Sequence, residues 1–119
     1  ASVQSLSNAW KLNCLLMNNP EDSKLLILAQ ATLARSGSQQ AAALRDTTGR
    51  TYVAVNVESP SLNLDAFEAV LTVALASGIT GIESVVACGS KPSNVASLKD
   101  FAPSATIFFI NAGGDIATL

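Results

Sequence analysis

Residues 65–76 limit the possible architectures of this chain more than any other stretch. As a helix they place Phe67, Val70, Leu71, Val73, Ala74 and Leu75 nearly all the way round the axis. A helix without a polar face is covered on all sides, either inside its own domain or between subunits. The helix is expected to open at Asp65, a residue suited to capping, and to end near Gly78.

The flanking segments supply the cover. From Asn19 the chain reads as a helix. Asn19 suits the N-cap, Pro20 the first helical position, and Glu21 and Asp22 the positive end of the helix dipole. Leu25, Leu28, Ala29 and Leu33 make its apolar face, and Gly37 after Ser36 its stop. Strands are expected over 41–45 and 51–57, joined by a tight reversal at Asp46-Thr47-Thr48-Gly49. In the second of these, Tyr52, Ala54 and Asn56 fall on one side and Val53, Val55 and Val57 on the other. One more extended residue sets Glu58 beside Asn56. Beyond the Ser59-Pro60-Ser61 break and the apolar helix, the pattern predicts a strand at 84–88, a short helix at 93–101 and a strand at 106–111. A turn at Ala112-Gly113-Gly114-Asp115 then leads into a short edge strand at 116–119. A single sheet with helices packed on its faces satisfies this order and places the chain in the α/β class.

Bulk properties narrow the function. The 119 residues suffice for one domain, assigned to 19–119, with residues 1–18 as a helical arm or extension carrying Leu6, Ala9, Trp10, Leu16 and Met17 near helical spacing. With 49% hydrophobic and 13% charged residues the chain is not of the disordered class. A net charge of −2 gives no electrostatic footprint for nucleic acid. The longest apolar runs, at 25–29 and 107–110, fall well short of the ~20 residues of a membrane span. No secretory leader pattern opens the sequence, so a soluble, cytoplasmic protein is expected.

Histidine is absent and the only cysteines are Cys14 and Cys88, both expected as buried thiols; a disulfide between them is formally open. A catalytic zinc takes three protein ligands from His, Cys and carboxylates, so two thiols and no imidazole do not supply the usual set.

Three motifs carry the functional reading: Asn56-Val57-Glu58, Ala66-Phe67-Glu68 at the start of the apolar helix, and Pro92-Ser93-Asn94-Val95-Ala96. Together with the element order they resemble the small homotetrameric cytidine deaminases over roughly residues 20 to 119. The resemblance implies a three-layer α-β-α sandwich around one mixed sheet of about five strands. It also implies that Asn56 and Glu58 hold the hydroxyls of a nucleoside ribose and that Glu68 stands where the family has its proton shuttle. In zinc-dependent deaminases the metal activates the attacking water. The positions matching its ligands are occupied here by Ala66, Ser93 and Ala96, so no metal and no cofactor are expected. The segments Pro-Glu-Asp-x-Lys-Leu from Pro20 and Arg-Asp-Thr-x-Gly-Arg-Thr-Tyr from Arg45 are similar to those of a divergent actinobacterial group of deaminase-fold proteins.

Each residue also has a plainer role. Glu68 suits the helix dipole, Asp65 the helix cap, and Gly113-Gly114 a turn. The leading expectation is a non-catalytic deaminase-fold protein that forms a dimer or tetramer through the 65–76 helix and acts as a binding or regulatory module. A nucleoside-like pocket at Asn56 and Glu58 is compatible with it. The alternative is a hydrolase of a pyrimidine nucleoside or similar small molecule, with an unconventional metal site built from Cys88, Asp65 and Glu68.

Overall fold

The structure, a computed structural model, describes residues 19–119. The expected arm at 1–18, with Cys14, lies outside the described residues.

Helix α1 spans Pro20–Ser36 with the caps read from the sequence. The Asn19 side chain accepts the Glu21 amide at 2.9 Å, Pro20 opens the first turn, and Gly37 closes the helix at φ 69° by donating its N–H to the Leu33 carbonyl. Its buried stripe is Asp22, Leu25, Leu26, Ala29 and Thr32. Leu26 therefore replaces Leu28 in the centre of the expected face, and Leu28 and Leu33 flank the core. The stripe follows the i, i+3, i+4, i+7 row of a helix lying on a sheet.

Five strands build the main sheet. β1 (Gln40–Asp46) pairs antiparallel with β2 (Thr51–Val55). The Asp46 carboxylate shapes the reversal by accepting the Thr48 amide, the Thr48 hydroxyl and the Arg50 amide at 2.8–3.0 Å. Burial by itself would raise the Asp46 carboxyl pKa, but these donors outweigh it and hold the group below its ordinary value.

The chain stays extended beyond Val55 but leaves the sheet. The expected strand over 51–57 is broken at Asn56, and β3 (Val57–Glu58) pairs with β4 (Asn63–Leu64) as a separate two-stranded unit. Two contacts cause the break. Asn56 uses its main-chain N–H on the Gln40 carbonyl and its side-chain oxygen on the Gln40 amide, so side chain replaces backbone at the end of the ladder. Ser59 then closes a tight turn onto Leu62, through its amide at 2.9 Å and its hydroxyl at 3.0 Å.

Helix α2 (Ala66–Ala76) follows, then β5 (Ile82–Gly89), the short helix α3 (Ala96–Phe101), β6 (Thr106–Ile110) and β7 (Ile116–Thr118). The strand order is β2-β1-β5-β6-β7. β5 and β6 run parallel and all other neighbours antiparallel, so the sheet is mixed, with β7 at one edge as expected. Helix α3 begins three residues later than the expected 93–101 because Asn94 directs its amide and side chain away from the helix, to Asp65 and Glu68.

The period of two in the strands separates two cores. Ala42, Leu44, Val85, Ala87, Ile107 and Phe109 pack with α2 and α3. Ala41, Ala43, Val86, Cys88 and Ile110 pack with α1 on the opposite face. The result is the expected three-layer α-β-α sandwich. In α2 the side chains of Ala66, Phe67, Val70, Leu71 and Ala74 are buried, and full burial of a side chain such as Phe67 is worth roughly 1.5–3 kcal/mol. The helix is not covered all round within one chain, however. Val73 and Leu75 are 43% and 44% exposed, and Leu62 in the preceding turn is 50% exposed. No helix among the described residues is long and apolar enough to cross a membrane.

Candidate functional site

The ends of β1 and β2, the β3–β4 turn unit and the start of α2 enclose a cleft of about 290 Å³. Gln40 is its central connector. Its amide donates to Asn56 Oδ1 at 3.0 Å, its carbonyl accepts the Asn56 N–H at 3.3 Å, and its side-chain oxygen accepts the Ala66 amide at 3.0 Å. One residue thus ties the end of the outer strand to the first turn of α2. Gly89, on the neighbouring strand β5, pairs with Gln40. Its φ is 94°, and a Cβ there would overlap the Gln39 carbonyl oxygen, which accepts the Ser90 amide at 2.9 Å.

The start of α2 forms a capping box. Asp65 Oδ1 accepts the Glu68 amide at 2.9 Å and Glu68 Oε1 accepts the Asp65 amide at 3.1 Å, as the plainer readings of both residues expect. Asn94, from the loop before α3, joins the same network. Its main-chain N–H donates to Asp65 Oδ2 at 2.7 Å and its side-chain amide donates to Glu68 Oε1 at 3.1 Å.

Asn56, Glu58, Asp65, Glu68 and Asn94 all line this one cleft. In that lining Asn56 Nδ2 lies 3.5 Å from Glu58 Oε1, so the step of two residues along extended chain does set amide and carboxylate side by side. Such a pair offers one donor group and several acceptor sites to a hydroxylated molecule. The lining carries three carboxylates, on Glu58, Asp65 and Glu68, and no Lys or Arg. Gln40 and Asn94 carry no site signal in the sequence. Their partners lie 16 to 29 residues away, and no local spacing marks them.

The residues at the expected ligand positions do not fit a zinc ion. Ala66 and Ala96 offer methyl groups, and Ser93 a neutral, exposed hydroxyl. The neighbouring carboxylates are already engaged: both Asp65 oxygens accept main-chain amides, and Glu68 Oε1 accepts two donors. Among the described residues, no three His, Cys, Asp or Glu side chains are grouped to hold a metal. Cys88 does not join Asp65 and Glu68. It is buried in the α1 core on the other side of the sheet, where desolvation pushes its thiol pKa up to about 11. Such a thiol is poorly suited to nucleophilic or ligand chemistry.

The layers define an α/β domain whose cleft is formed by strand ends, the start of α2 and the loop before α3. Residues 18–114 match the cytidine deaminase-like family, and the chain belongs to that family. The fold is similar to a 1.6 Å crystal structure of cytidine deaminase from Burkholderia pseudomallei, with TM-score 0.68 and 21% identity over 81% of this chain and 89% of that one. It is also similar to cytidine deaminase from Mycobacterium leprae, with TM-score 0.58 and 22% identity over 76% and 88% of the two chains. No curated protein matches the chain.

Proposed function

We propose that this chain is a metal-free member of its family that binds a ribonucleoside, or a small polyhydroxylated molecule like it, and acts as a binding or regulatory module without deaminating its ligand. One observation carries the reading: Asn56 and Glu58 lie side by side in the lining of a cleft that also holds Glu68, while the expected metal positions Ala66, Ser93 and Ala96 carry only methyl, hydroxyl and methyl. A carboxylate beside an amide is suited to a diol. Glu68 remains as a fixed acceptor, with nothing beside it to activate a water.

Thermal unfolding with cytidine or uridine tests this. A ligand at 100 times its Kd stabilises the folded state by about 2.7 kcal/mol, which raises Tm by about 10 °C in a domain of this size. Glu58→Ala is expected to abolish the rise while leaving the ligand-free Tm within about 2 °C, because Glu58 is exposed and its one polar contact is long. Equal stabilisation of wild type and variant would move the ligand elsewhere.

The exposed Leu62, Val73 and Leu75 support self-association through α2. The wild-type chain is then expected to sediment as a dimer or tetramer of the 12.2 kDa unit, and Val73→Asp as a monomer. Val73 is the informative position because Val70 is fully buried, and a carboxylate there would unfold the domain. A Val73→Asp chain with the wild-type mass would remove this interface.

A further inference from the structure

The mismatch between the family's metal site and these residues raises the question of what joins the two helix starts in this chain. In the zinc-dependent relatives implied by the fold, one metal would bridge the first turn of α2 and the loop before α3. Here hydrogen bonds to the Asp65 carboxylate and from the Asn94 amides join the same two segments. Asp65 spans them, one carboxylate oxygen on the Glu68 amide and the other on the Asn94 amide, and the Asn94 side chain returns to Glu68. The shortest of these bonds, 2.7 Å, is charge-assisted, the stronger class of hydrogen bond. The loop also walls a second cleft, of about 390 Å³, lined by Lys91, Pro92, Ser93, Val95 and Leu119. Its position therefore sets the shape of both clefts.

We infer that Asp65 and Asn94 form a metal-independent clasp that pins the 90–95 loop to α2 and holds Glu68 as a fixed acceptor in the cleft. Asp65 and Asn94 are positioning residues in this account, and Glu68 is the group they position. The alanine and serine at the ligand positions are then accounted for, since the clasp supplies the connection that ligands would otherwise make. The clasp belongs to the ligand-free chain and does not depend on nucleoside binding.

Amide hydrogen exchange on the whole ligand-free chain tests it, read at residues 68 and 94 with and without EDTA. In the wild type both amides are expected to be protected, and EDTA is expected to change neither. Asp65→Ala should speed exchange at both by at least about tenfold. Asp65→Asn guards against simple unfolding. Asparagine is a good N-cap but has a single acceptor oxygen, so one of the two amides must lose its partner while the later turns of α2 stay protected. An unprotected Asn94 amide in the wild type would overturn the clasp. So would full protection of both amides in Asp65→Asn, or release of the loop by EDTA, which would assign the connection to a metal.

Discussion

Arg45→Ala is expected to destabilise the domain by about 3–5 kcal/mol, because it strands a buried carboxylate. Arg45 is 7% exposed on β1 and donates from Nη2 to Asp22 of α1 at 2.9 Å and from Nε to Glu83 of β5 at 2.8 Å. Burial opposes its charge, but the hydrogen bonds to Glu83 and Asp22 outweigh it and raise the Arg45 pKa above its ordinary value. Asp22 is 6% exposed, so removing the guanidinium leaves an anion in the core between helix and sheet. Urea unfolding should show the full loss, with a fall in Tm of about 10 °C or more. Paired replacement, Asp22→Leu with Arg45→Met, should recover most of it. Buried ion pairs exchanged for apolar residues of similar size are often neutral, and Arg45 Nη1 is already buried without a protein partner. A loss below about 1 kcal/mol for Arg45→Ala would show that the pair is relieved by water and does not fix α1 on the sheet.

That pair also marks the boundary between what could be read from the sequence and what could not. Caps and strands are local, so Asn19, Pro20 and Gly37 fixed the ends of α1, and Asp65 fixed the start of α2. Alternation along 51–55 assigned Tyr52 and Ala54 to one core and Val53 and Val55 to the other. The two segments holding Asp22 and Arg45 were recognised as motifs, yet their meeting across 23 residues leaves no local pattern. The same holds at the cleft. Asn56 and Glu58 were readable because two residues on extended chain face one way. Gln40 and Asn94 were not, because their roles come from Ala66, Asp65 and Glu68 in other elements. The break at Asn56 has no sequence signal for a related reason. A side chain that bonds a distant backbone ends a strand without any change in the hydrophobic period.

The largest expected effect is on catalysis. Lowering the pKa of a bound water from 15.7 to about 7 is worth roughly 12 kcal/mol at 1.36 kcal/mol per unit. A deaminase-type hydrolysis deprived of that activation has no comparable substitute among the groups lining this cleft. Glu68 could move a proton, but with Oε1 held by the Asp65 and Asn94 donors it has no activated nucleophile to serve. Cytidine added to the protein is therefore expected to remain cytidine at the uncatalysed rate, whether or not it binds. Glu68→Gln should leave that rate unchanged, whereas in a working deaminase it would remove the proton carrier.

The most direct test of the account is a single measurement on one sample: protein from zinc-supplemented culture, purified without chelator, analysed for zinc per chain and assayed for cytidine deamination. The account predicts zinc far below one per chain and no turnover above background. One zinc per chain with turnover would contradict it and would mean that this chain has rebuilt a metal site from residues other than Ala66, Ser93 and Ala96.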